Sequence, residues 1–276
     1  MLNDHSKVGI ALIIFYVPAV LLAAWLLFHR HAHGKGNDRP RLAWIVLLIF
    51  SLIRVASGIV LIVHENQQQE IGPTIAAVIL LNAGVFPVIA ATIGLIWIIQ
   101  AADFQHNSSI RYGLILSRVL FFVGIALLIA GGSLEGNYNN ESSVMTGLKL
   151  VRAGYIIIAV FVGCLLAFQV YFWRRAARLS LTSMTVLKGA SSAMPFFVVR
   201  LTYAFLSVFK SSDLTWNPLA GPVGPFVAMA LVMEYLVVCI YLLTGFSISP
   251  ARDQRNDRID GTRSQGRSLK DRFGSA

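Results

Sequence analysis

Long apolar runs, broken by short polar stretches, dominate the chain. Seven such runs are each near the roughly 20 residues that cross a bilayer as helix. They predict helices over about Val8 to Phe28, Leu42 to Val63, after Pro73 to Gln100, Ile110 to Ala130, Gly147 to Trp173, Met194 to Phe209 (with a start several residues earlier also open) and Val223 to Ile248. The fold class read from this pattern is all-α, a polytopic bundle of seven transmembrane helices. Residues 1–249 form the membrane domain. Residues 250–276, rich in Arg, Asp, Gly and Ser, form a basic tail predicted to be disordered. The first run is too long for a signal-peptide core, and the basic segment His29-Arg30-His31 follows it rather than a small-residue cleavage site.

Composition agrees with this reading. The 276 residues are 56% hydrophobic and only 13% charged, a mixture from which a water-facing surface cannot be built. The net charge is +10, which in a soluble protein would point to nucleic acid. Here the basic residues sort by loop instead. Arg30, Lys35, Arg39 and Arg41 follow the first helix, and Arg174, Arg175, Arg178 and Lys188 follow the fifth. Seven Lys or Arg residues lie in the tail from Arg252 onward. The alternate loops hold Glu65 and Glu70, Glu135 and Glu141, and Lys210 with Asp213. The positive-inside rule then places the N-terminus outside and the C-terminus in the cytosol. The endoplasmic reticulum and the plasma membrane both fit. In that orientation Asn140-Glu141-Ser142 is a candidate glycan acceptor at Asn140, whereas Asn107-Ser108-Ser109 faces the cytosol and stays bare.

Pro18 and Pro87 fall inside predicted helices, and a kink at Pro87 would open space in the third. Candidate chemistry lies in polar groups at membrane depth, where an ionisable side chain costs about 2.5–3.5 kcal/mol on insertion scales. These are Arg54 on the second helix, Asn82 on the third, Arg118 on the fourth, Arg152 on the fifth, Arg200 on the sixth and Glu234 on the seventh. At about 1.5 Å per residue, Arg54 lies roughly 18 Å into its helix, near the midplane. Glu234 is similarly central, while Arg118 and Arg152 are close enough to the helix ends to snorkel. Ser51, Arg54, Ser57 and Gly58 recur at helical spacing and predict a buried, small and polar stripe. Tyr203 and Tyr235 accompany Arg200 and Glu234.

Two readings of Glu234 follow. In one it neutralises Arg54 or Arg200 and ties the bundle together. In the other it is a proton donor in an aromatic-lined cavity. Four arginines against one acid also leave positive charge for an anionic ligand, a lipid headgroup or carbonyl dipoles to balance. No cofactor is implied. His29, His31 and His33 read as a basic flank rather than a metal site. Asn256-Asp257-Arg258-Ile259-Asp260 stands alone in the tail and reads as a chance likeness to a diphosphate-binding motif. The last helix has no lysine for a retinal Schiff base, and no Gly-x-x-x-x-Gly-Lys phosphate loop occurs.

Ser51-Leu52-Ile53-Arg54, Pro195-Phe196-Phe197-Val198-Val199-Arg200-Leu201 and Met233-Glu234-Tyr235 together resemble a family of fungal seven-helix membrane proteins of largely unknown function. The resemblance spans roughly residues 8 to 248. A looser similarity is to the fungal membrane terpene cyclases of secondary metabolism, which use a pair of intramembrane acids. This chain offers Glu234 alone at depth; Glu65, Glu70 and Glu135 are at the rim. The expected function is a membrane enzyme acting by intramembrane acid catalysis on a lipophilic substrate such as an isoprenoid. Glu234 would be the donor, Arg54 and Arg200 would tune it, and Asn82, Arg118, Arg152, Tyr203 and Tyr235 would line the substrate site. The alternative is a non-enzymatic heptahelical protein, a receptor-like sensor or a small-molecule transporter. Both take a lipophilic small molecule and a bilayer as partners, and neither takes nucleic acid.

Overall fold

In lipid every backbone N–H and C=O must find a partner within the chain, and a helix does this locally. The apolar runs accordingly form helices in the computed structural model, which describes residues 4–33, 41–66, 80–81, 85–104, 107–135, 141–210, 213–216 and 221–248. Among the described residues, seven helices are long and apolar enough to cross a membrane. They are α1 (Asp4–His33), α2 (Arg41–Asn66), α3 (Val85–Asp103), α4 (Ser108–Glu135), α5 (Glu141–Arg174), α6 (Leu181–Phe209) and α7 (Val223–Ser247). No strand occurs among the described residues. Large apolar side chains such as Leu21, Phe28 and Phe122 are exposed. That is the surface of an integral multi-pass membrane protein, whose outer solvent is hydrocarbon.

The helices pack as α1 with α2, α4 with α5 and α6 with α7, while α3 contacts α2 and α6. α3 is the innermost: 56% of its apolar window is buried, against 22% for α4. Glycines set the closest crossings. Gly9 meets Gly58 between α1 and α2, and Gly131 meets Gly147 between α4 and α5. Without a hydrophobic force between helices in lipid, such close backbone approach gains dispersion contacts that larger residues would prevent.

The sixth helix departs most from the expectation. It begins at Leu181 rather than near Met194, so Pro195 is interior to it. Its first half is rich in Ser and Thr and low in hydropathy. The small residues Ser183, Gly189, Ala190 and Ala193 are nonetheless buried, Gly189 directly against Thr244 of α7. Val186 and Leu187 are buried beside them, so this face combines small residues for close approach with ordinary apolar contact. Ser180 caps the helix by accepting from the Ser183 N–H at 3.3 Å. Asp103, at the end of α3, in turn accepts from the Ser180 backbone N–H at 3.0 Å and its hydroxyl at 3.2 Å. Ser180→Ala removes the cap and one arm of this clasp. It is expected to lower stability by about 1 kcal/mol, read as an earlier thermal unfolding midpoint in detergent.

Pro87 does not kink the third helix midway. It falls in the first turn of α3, where a missing N–H costs nothing. α7 is the irregular helix: Val223–Phe226 is α-helical, Val227–Val232 is a π-helical segment, and Met233–Ser247 returns to α-helix. Such wide turns mark functional positions more often than plain helix does. Glu234 is the second residue after this one.

Candidate functional site

The predicted stripe on α2 is buried: Ser51, Arg54 and Ser57 are all at most 1% exposed. Ser51 and Ser57 return their hydroxyl protons to the carbonyls of Leu47 and Ile53, at 2.9 and 2.8 Å. Arg54 is too long to satisfy itself locally and reaches across the bundle. Its Nη2 donates to Oε2 of Glu234 on α7 in a direct ion pair. Its Nη1 and Nη2 also approach the Leu81 carbonyl at 3.3 and 3.4 Å.

Arg200 enters from α6. Its Nη2 is 3.4 Å from the same Leu81 carbonyl, and its Nε is 3.7 Å from the same Oε2 of Glu234. Two guanidiniums thus share one carboxylate oxygen and one backbone oxygen. Arg54, Arg200 and Glu234 are 0%, 3% and 1% exposed. The longer α6 accounts for the depth of Arg200, which lies nine residues, about 14 Å, before Phe209.

The triad carries a formal charge of +1 in a buried space. An isolated ion there costs far more than a folded protein's whole stability margin. Pairing and the Leu81 carbonyl dipole offset most of that cost, but the hydrogen-bond capacity is not exhausted. Glu234 Oε1, Arg54 Nε and Arg200 Nε are buried without a hydrogen-bond partner among the described residues.

Aromatic rings wall the cluster. The Arg54 guanidinium stands 5.7 Å from the Phe50 ring centroid. Tyr16 of α1 meets Phe50 and Tyr235 edge-on, each at 5.7 Å. The Tyr16 hydroxyl is buried and also without a partner among the described residues. It lies within electrostatic reach of Glu234, Arg54 and Arg200. Sequence reasoning missed Tyr16, although it is the sole side-chain hydroxyl between Val8 and Phe28. It missed the Leu81 carbonyl too, and no sequence signal announces a backbone acceptor.

The remaining candidates separate. Tyr235 packs on α1 against Phe15 and Tyr16. Tyr203 lies near Arg200, but its hydroxyl donates to the Trp216 carbonyl at 3.4 Å and its ring packs on Trp216 and Phe226. Just before that turn, hydrogen bonds from the side chain and backbone N–H of Thr215 hold the Asp213 carboxyl below the usual carboxylate range. Arg118 and Arg152 do not join the triad. Arg118 stacks over Trp97 at 3.8 Å, and Arg152 faces Phe209 at 5.8 Å. Aromatic faces supply the negative potential that the single acid does not. Asn82 and Asn140 lie outside the described residues, as do the tail and the side chains of His29, His31 and His33.

The geometry is that of a carboxylate accepting a hydrogen bond from Arg54, with the Arg200 guanidinium at ion-pair distance and one oxygen left over. It joins α2, α6, α7 and Leu81, ahead of α3, through polar contacts at the middle of the span. The model of a domain of unknown function, DUF7702, matches residues 2–251. The chain belongs to this family. No curated protein and no solved structure matches it. The DUF7702 match covers the whole seven-helix bundle, so the triad, the π-helical segment and the aromatic wall all lie within the family's domain.

Proposed function

We propose that the chain is a receptor-like heptahelical sensor of a lipophilic small molecule, with the Arg54–Glu234–Arg200 triad as its switch. The N-terminus lies outside and the C-terminus in the cytosol, in the plasma membrane or the endoplasmic reticulum. The observation that carries the reading is the triad's imbalance: net +1, buried, with atoms on all three members that find no hydrogen-bond partner among the described residues. A ligand with an anionic or strongly accepting end would compete with Glu234 for one guanidinium. Only such differential contact shifts a two-state equilibrium. The π-helical segment before Glu234 supplies a helix able to rewind as the ion pair is exchanged.

A second reading, intramembrane acid catalysis on an isoprenoid or meroterpenoid in fungal secondary metabolism, draws support from one feature. Glu234 Oε1 and the Tyr16 hydroxyl are both unpartnered among the described residues, and Tyr16 lies close enough to feel the glutamate's charge. Against it stands the ion pair itself, since the Glu234 carboxyl is already engaged by Arg54 rather than free to face a substrate.

One experiment separates the two. Wild type and Glu234→Gln are expressed at matched abundance in a host lacking the protein. Metabolites are profiled, and Cys239 on α7, beside Tyr235, is labelled with a membrane-permeant maleimide in a Cys164→Ser background. The sensor reading expects no new metabolite from either, and several-fold faster labelling of Cys239 in Glu234→Gln because the lock is loosened. A terpenoid made by wild type and lost in the variant would establish catalysis instead.

A further inference from the structure

The triad is not the only place where charge and apolar surface meet. A cavity of about 600 Å³ lies between α4 and α5, on the flank of the bundle and far from Glu234 in the packing order. Its mouth is polar, with Asn107, Ser109 and Arg175. Its depth is apolar, with Leu116, Leu120 and Cys164. Leu116 is 62% exposed, so the groove opens sideways onto the hydrocarbon rather than into the bundle.

We infer that this groove binds one anionic glycerophospholipid, its phosphate at Arg175 and an acyl chain along α4 and α5. Four observations converge. Arg175 is the charged member of the lining, and no carboxylate stands among the described residues that line it. Its guanidinium rests 4.6 Å from the Tyr171 ring centroid, which holds it over the groove. The exposed Arg174 and Arg178 flank it at the same end of the bundle. α4 begins at Ser108, so Ser109 and Ile110 bring the electropositive end of a long helix to the mouth. From Asn107 to Leu120 the groove runs about 20 Å, near the depth of one leaflet with its headgroup layer.

Basic pockets between transmembrane helices at the cytosolic face are where anionic headgroups are held, and in the proposed orientation this mouth faces the cytosolic leaflet. The inference does not depend on the sensor reading.

Native mass spectrometry of the full chain, released from membranes containing phosphatidylserine and phosphatidylcholine, tests it. Wild type is expected to retain phosphatidylserine about fivefold over phosphatidylcholine, the worth of one basic residue beside an anionic lipid. Arg175→Gln should abolish the preference. Cys164→Phe, which fills the apolar depth and keeps the charge, should reduce retention of both lipids. Thermal stabilisation is measured in parallel, and phosphatidylserine should raise the unfolding midpoint where inorganic phosphate does not. An unchanged lipid ratio in Arg175→Gln would overturn the proposal. So would full retention in Cys164→Phe, or equal stabilisation by inorganic phosphate.

Discussion

Glu234→Ala is expected to destabilise the bundle by about 3–5 kcal/mol, and by more than loss of either arginine. The reason is charge arithmetic. Removing Glu234 leaves Arg54 and Arg200 facing each other at the Leu81 carbonyl, with no anion between them. Removing Arg54 leaves Arg200 and Glu234 already within 3.7 Å, a neutral pair. Arg54→Met should therefore cost visibly less than Glu234→Ala. The triple replacement of Arg54, Arg200 and Glu234 by methionine should recover much of the loss, because apolar residues of similar volume fill a dry site without desolvation cost. Unfolding midpoints in detergent across the three variants and wild type give the ranking. If Arg54→Met proves as damaging as Glu234→Ala, the shared-carboxylate arrangement is wrong.

The second large effect is steric. A β-carbon at Gly147 would meet the Gly131 carbonyl at 2.7 Å and the Glu135 backbone nitrogen at 2.8 Å. Both contacts are backbone on the facing helix, so no side chain can swing aside. Gly147→Ala should splay the α4–α5 hairpin and cost about 1–3 kcal/mol. Gly163, on the same helix, has open space around it. Gly163→Ala should be neutral, or stabilising by up to about 1 kcal/mol from helix propensity. The same unfolding assay reads both, and equal behaviour of the two substitutions would refute the close crossing.

Much of the architecture is legible in the chain because the bilayer imposes a length and a polarity on each segment. Five of the seven helices overlap their predicted ranges closely, and α3 runs from Val85, the stretch just after Pro73 lying outside the described residues. α6 does not match closely, since its first half interleaves buried Val186 and Leu187 with Ser, Thr, Gly and Lys188, which lower the hydropathy of the stretch. The site was half legible. Arg54, Arg200 and Glu234 were identifiable because charge at membrane depth is rare. Arg118 and Arg152 shared that signal and proved to face aromatic rings instead, since a ring face serves a cation in much the way a carboxylate does.

By itself the sequence determined the class of molecule: seven spans of oil-soluble helix carrying more buried positive charge than one acid can balance. Tertiary structure alone decided the partners. Which arginines share Glu234, that Tyr16 stands beside them and that Leu81 lends its carbonyl depend on how helices from distant parts of the chain rotate and cross. Those rotations are set by packing of glycines and aromatic rings across helix faces. Helical periodicity says which residues share a face, but not which face it will meet.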